Sequence, residues 1–218
     1  MFWFFFGGFV GFFFSLLWVL FVLVWGGVCM GSVVGVEAPC KPFPRCVQEC
    51  FERFREVEPL TVIDIGAGRG RFVRWFMSNF DVELYVAIEP YPKSFNYLRG
   101  VVATEVPQGD RLVLIRGTWE EVRDVFIHDR FKVVVLWDVA MFMDLTGVHG
   151  VSDYTEAIKR EVPHWVKMAE RYVLFSLHPV KRGLVPKSRF RELYMEFEKY
   201  CRVVAKRYLN RVYEVIKK

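Results

Sequence analysis

The sequence predicts an α/β protein: a doubly wound, mostly parallel seven-stranded sheet with helices on both faces and a C-terminal antiparallel hairpin, preceded by an N-terminal transmembrane helix. Three observations carry this expectation. Residues 1–36 hold 27 apolar residues, seven Gly and two Ser without a charge, while all 30 Lys/Arg and 25 Asp/Glu follow them. Beyond them, short β-branched runs alternate with segments whose apolar residues recur at helical spacing. The last two strand-like runs, 201–209 and 211–218, follow each other directly about Asn210, as the arms of a hairpin do.

A length of 218 residues, 53% of them hydrophobic, with a mean hydropathy of +0.21, excludes a disordered chain. Residues 37–218 suffice for one buried core and are too few for two full-sized domains. The expected organisation is a hydrophobic segment, 1–36, a linker and N-terminal helix, 37–59, and one folded domain, 60–218.

The uncharged run from Phe2 to Trp25 would span about 36 Å as a helix, enough to cross a bilayer's hydrocarbon core with some tilt. Gly26 and Gly27 end it, and Lys41, Arg45, Arg53 and Arg55 supply a basic flank, which places the domain on the cytoplasmic side of a membrane. A cleaved secretory signal needs a basic stretch ahead of its apolar core, and nothing basic precedes Lys41. The alternative is a start at Met30, which removes the segment and leaves a cytoplasmic protein.

In the domain, Leu60 to Ile65 reads as a buried strand, the glycines that follow as a tight loop, and Phe72, Val73 and Phe76 as the buried stripe of a helix. Gly66, Gly68 and Gly70 permit positive-φ turns and close approach of a ligand to helix N-terminal amides. The dinucleotide fingerprint is G-x-G-x-x-G; here the third glycine falls one residue early, giving D-x-G-x-G-x-G from Asp64 to Gly70, so NAD is disfavoured. A second strand, 82–90, ends at Glu89, an acid placed to hydrogen-bond ribose hydroxyls. A third, Arg111 to Ile115, leads into RGTWEEV, where Glu120 and Glu121 read as first-turn helix acids. A fourth, centred on Val133 to Leu136, ends at Trp137 and Asp138.

The stretch Asp64–Gly70, followed by Glu89 and the run EPYPKSFNYL, resembles the signatures of class I S-adenosylmethionine-dependent methyltransferases. The resemblance covers nearly all of residues 60–218 in element order and is specific only at these two places. It implies S-adenosyl-L-methionine as cofactor, with Asp64, Gly66, Gly68, Gly70, Glu89, Pro90, Thr118, Trp119 and Asp138 around it. Pro90 and Tyr91 would flank the adenosine; Thr118, where an Asp is common, and Trp119 would meet the adenine. Asp138 would lie near the aminocarboxypropyl group or the acceptor. The D/N-P-P-F/Y signature of amino-directed enzymes is missing, since Val139 and Ala140 replace its prolines, and Met141, Phe142 and Met143 offer an apolar wall instead. Asp138 and His178 are the candidate catalytic residues, and His149 a weaker one.

The acceptor is not written in any motif. An anchor favours a small molecule or lipid; the excess of 16 basic over 8 acidic residues in 151–218 makes RNA a further candidate. The competing class is a membrane-tethered cofactor-binding or scaffold protein without turnover. Cys40, Cys46 and Cys50 are spaced C-x5-C-x3-C, which matches no zinc motif, so no metal is expected and Cys46 and Cys50 are expected to pack on one helix face.

Overall fold

The computed structural model describes residues 43–106, 111–138, 143–177 and 185–216. The hydrophobic segment, Met30, Cys29, Cys40, residues 139–142 and the turn carrying His178 lie outside them. Among the described residues no helix is long and apolar enough to cross a membrane.

The strands are β1 (Leu60–Ile65), β2 (Val82–Ile88), β3 (Leu112–Ile115), β4 (Phe131–Trp137), β5 (Ala169–Ser176), β6 (Cys201–Arg207) and β7 (Asn210–Val215). They form one sheet in the order β3-β2-β1-β4-β5-β7-β6. The first five run parallel, while β7 is antiparallel to both β5 and β6. The expected seven-stranded architecture and terminal hairpin are therefore present. The parallel strands are continuous apolar runs because helices cover both of their faces.

The helices are α1 (Arg45–Gln48), α2 (Phe51–Arg55), α3 (Arg71–Asn79), α4 (Pro92–Glu105), α5 (Trp119–Phe126), α6 (Thr146–His149), α7 (Tyr154–Met168) and α8 (Phe190–Glu198). Strand side chains alternate between faces, so neighbouring residues of β1 serve different cores. Ile63 and Ile65 pack with Trp119 of α5, Val162 and Trp165 of α7, and Phe197 of α8. Val62 packs with Phe54 of α2, Leu98 of α4, and Phe72 and Phe76 of α3, the stripe expected from spacing.

Local chemistry sets the helix starts. Pro92 opens α4, where a missing N–H costs nothing. Thr118 and Glu121 form a capping box at α5, and the Asp153 carboxylate caps α7 by accepting from the Thr155 and Glu156 amides at 2.8 and 3.3 Å.

Two details differ from expectation. The hairpin turns at Tyr208 and Leu209 rather than at Asn210, because Asn210 is already paired with Ser176 as the first residue of β7. Cys46 and Cys50 fall on α1 and at the start of α2 rather than on one helix, although both are buried as free thiols. Burial raises the Cys46 thiol pKa and pushes that of Cys50 up to about 12, which keeps both protonated and unreactive. Among the described residues no cluster of His, Cys, Asp or Glu could hold a metal.

Candidate functional site

In open α/β sheets ligands sit beyond the carboxyl ends of the strands where strand order reverses, here between β1 and β4. A cavity of about 450 Å³ opens at that point. Its walls bring together Gly66 after β1, Glu89 and Pro90 after β2, Thr118 and Trp119 before and within α5, and Asp138 after β4. Tyr91 and Met143, both singled out from sequence, also line it.

The glycine loop explains the first wall. Gly66, Gly68 and Gly70 have φ of 82°, 58° and 78°, in the left-handed region that side chains other than glycine's enter at a cost. Their roles diverge. A Cβ on Gly68 would meet nothing within 4 Å, so the loop leaves open space there. A Cβ on Gly70 would come within 2.6 Å of Leu98 Cδ1, so this glycine lets α3 pack closely on α4 and lies away from the cavity lining.

Glu89 is 3% exposed and ties the first two strands' loops together. Its carboxylate accepts from the Gly68 amide at 2.7 Å and the Tyr91 amide at 2.9 Å. Each oxygen retains lone-pair capacity for a further donor from the cavity side. Asp64 stands elsewhere. It is 1% exposed, outside the cavity lining, and accepts from the Tyr85 hydroxyl at 2.9 Å. Burial, opposed by the Tyr85 hydrogen bond and reinforced by the nearby Glu89 charge, pushes its pKa up to about 7.

The wall at α5 holds Glu120, which the sequence marks only as a first-turn helix acid. Thr118 is committed locally: its hydroxyl accepts from the Glu121 amide at 3.3 Å and hydrogen-bonds the Glu120 carboxyl. Glu121 returns the capping bond to the Thr118 amide at 2.7 Å. Glu120 instead lines the cavity, where its Oε1 is buried without a hydrogen-bond partner, and burial raises its pKa. The capping-box spacing was the available signal, since it claims Glu121 and not Glu120 for the helix cap.

Trp119 is 2% exposed and its indole N–H donates to Glu161 Oε1 at 3.2 Å. The same fully buried carboxylate receives Arg123 Nε at 3.0 and 3.1 Å and lies 2.7 Å from His149 Nε2. His149 therefore serves this network, stacked on His164, and does not line the cavity.

Asp138 closes the site in a left-handed conformation, φ 59°. Its amide donates to the Ser176 carbonyl at 3.2 Å, and the Ser176 hydroxyl donates to its Oδ1. The Asn210 carboxamide lies 2.7 Å from that hydroxyl, so the ends of β4, β5 and β7 are joined through Ser176.

No protein-family model and no curated protein matches the sequence. Solved structures match its fold. The chain has the fold of class I S-adenosylmethionine-dependent methyltransferases. It is similar to magnesium protoporphyrin IX methyltransferase from Synechocystis PCC 6803, solved with bound SAM, at 15% identity and a TM-score of 0.54, covering 80% of this chain and 77% of that one. Ribosomal protein L11 methylase from Lactobacillus delbrueckii subsp. bulgaricus is 15% identical, with a TM-score of 0.52 over 80% of this chain and 77% of that one. The N-methyltransferase NodS from Bradyrhizobium japonicum WM9, in complex with S-adenosylhomocysteine, is 10% identical, with a TM-score of 0.50 over 79% and 86%. At these identities the likeness is one of fold.

Proposed function

We propose that this protein binds S-adenosylmethionine in the cavity beyond β1, β2 and β4 and transfers its methyl group to an acceptor entering over Asp138. The observation that carries the reading is a pair of carboxylates lining the cavity: Glu89, buried and anchored to the glycine loop, and Glu120, with a buried oxygen lacking a partner. A ligand with ribose hydroxyls and an exocyclic amine supplies the donors that both acids can accept. The open space at Gly68 suits close approach of such a ligand to the loop.

Glu89 would take the ribose hydroxyls while keeping its bonds to the Gly68 and Tyr91 amides. Pro90 and Tyr91 would flank the adenosine, and Trp119, immobilised by Glu161, would give the adenine a fixed face. With the Thr118 hydroxyl already engaged, Glu120 Oε1 is the better partner for the adenine amine. Asp64 and Gly70 would support the loop from behind.

When bound, the cofactor supplies a methyl group on a sulfonium, so that an acceptor lone pair forms the new bond while the C–S electrons return to sulfur, leaving S-adenosylhomocysteine. The chain's contribution is then positioning. Asp138, held by Ser176 in the cavity wall, would orient the acceptor and take up its proton. Calorimetric titration with S-adenosylhomocysteine tests the reading: saturable heat, diminished by Glu89→Ala, supports it, and a folded protein giving none removes it.

A further inference from the structure

The tip of the β6–β7 hairpin lies at the same end of the sheet as the cavity. Asn210, which opens β7, pairs with Ser176 at the end of β5, and the Leu177 amide donates to the Leu209 carbonyl at 3.3 Å. From Asp138 the path to the tip passes through one side chain, Ser176.

Three features at this tip each cost stability. Lys206 and Arg211 are directly opposed across the strands, a like-charge pair that destabilises a sheet. Tyr208 is 70% exposed, a large apolar ring left in water. Its φ of 53° is a conformation that bulky residues avoid and that glycine or asparagine would adopt with less strain. Arg211 holds it there, donating to the Tyr208 and Asn210 carbonyls at 2.7 and 3.0 Å with its guanidinium 4.3 Å from the Tyr194 ring centre.

Among the described residues the charges at the tip also have no acidic partner. At the far end of the same hairpin Arg202 pairs with Glu214. The side chains of Lys206 and Arg207 are exposed and make no hydrogen bond or ion pair among the described residues, and that of Arg211 meets carbonyls and a ring but no carboxylate. Lysine on an edge strand can simply discourage aggregation, but that role calls for neither an exposed aromatic nor a pinned guanidinium. Beyond the carboxyl ends of β2 and β3, on the other side of the switch point, the side chains of Lys93 and Arg116 are likewise exposed and make no ion pair or hydrogen bond among the described residues. From β7 to β3 is five strand spacings, about 24 Å.

Cations spaced along a path, with an aromatic face among them, match the chemistry of a single-stranded nucleic acid, whose phosphates take the cations and whose bases stack on aromatic rings. We propose that the hairpin tip, through Lys206, Arg207, Arg211 and Tyr208, docks a single-stranded nucleic acid across the cavity mouth. That the docked strand is also the methyl acceptor rests on the methyl-transfer reading; the docking does not.

The test is fluorescence anisotropy of the full chain, in mild detergent, with a labelled single-stranded RNA oligonucleotide and its DNA counterpart. Three to four phosphate contacts should weaken binding about 20- to 50-fold between 50 and 200 mM salt. Lys206→Ala with Arg207→Ala should lower affinity at least about tenfold and flatten that dependence. Tyr208→Ala should lower affinity about 5- to 100-fold and leave the salt dependence unchanged, a separation that general misfolding would not produce. S-adenosylhomocysteine binding by each variant reports separately on the cofactor site: oligonucleotide binding without it overturns the methyl-transfer reading and keeps the docking surface. Oligonucleotide binding that is absent, or indifferent to all these substitutions, overturns the proposal. So does tip-dependent, salt-sensitive binding to phosphatidylserine vesicles without binding to the oligonucleotides, which would make the tip a membrane contact.

Discussion

Replacing Asp64 by asparagine should change how stability depends on pH, in a direction opposite to that of most carboxylates. The side chain is 1% exposed, and its partner is the Tyr85 hydroxyl at 2.9 Å. Desolvation pushes its pKa from 3.8 up to about 7. Between those values the folded protein retains a proton that the unfolded chain releases. The wild type therefore loses stability as pH rises through this window, and above the folded pKa the whole penalty is present. At about 1.4 kcal/mol per pKa unit the penalty approaches about 4 kcal/mol. Asparagine is nearly isosteric, accepts the same Tyr85 hydrogen bond and never ionises. Relative to the wild type, Asp64→Asn should thus gain up to about 4 kcal/mol between pH 4 and pH 8. His164, whose pKa burial lowers, contributes a slope of the opposite sign to both proteins and cancels in the difference. Urea denaturation of both proteins at the two pH values, followed by tryptophan fluorescence, measures this. A difference that stays flat, or moves in favour of the wild type as pH rises, would refute the reasoning and place an ionised Asp64 in the folded state.

Other expectations concern single contacts. Gly70→Ala should cost about 2 to 3 kcal/mol, from its left-handed φ and the approach to Leu98, lowering Tm without changing S-adenosylhomocysteine affinity of the folded fraction. Glu120→Ala should weaken that affinity by about 1.5 to 3 kcal/mol, the scale of a lost charge-assisted hydrogen bond, while leaving the unliganded protein at least as stable; calorimetry and thermal melts read the two effects. Glu161→Gln should cost about 3 kcal/mol or more, because Arg123 loses a buried counter-charge, and loosening the Trp119 indole should also reduce cofactor affinity.

The parallel sheet was legible in the sequence because buried strands are written as continuous apolar runs, and β1 begins and ends where its run does, at Leu60 and Ile65. The glycine loop and Glu89 were legible because positive-φ turns and strand-end acids leave few residue choices. The finer roles were not. Asp64 and Gly70 belong to the same motif as Gly66, yet one faces Tyr85 and the other Leu98, contacts made by residues distant in sequence. Glu120 and Glu121 look alike in a first turn, and only the three-dimensional capping bond separates the one that closes the helix from the one that faces the cavity. The basic excess of the last third was countable, but the placing of Lys206, Arg207 and Arg211 at the cavity's end of the sheet depends on β7 returning antiparallel to β5.

Calorimetric titration of the full chain with S-adenosylhomocysteine, run beside NAD and beside Glu89→Ala, tests the central claim most directly. Saturable micromolar binding of S-adenosylhomocysteine, weakened by the substitution, with no binding of NAD at millimolar concentration, is the predicted result. A folded protein that shows neither heat nor a thermal shift with S-adenosylhomocysteine, or that binds NAD as tightly, would contradict it.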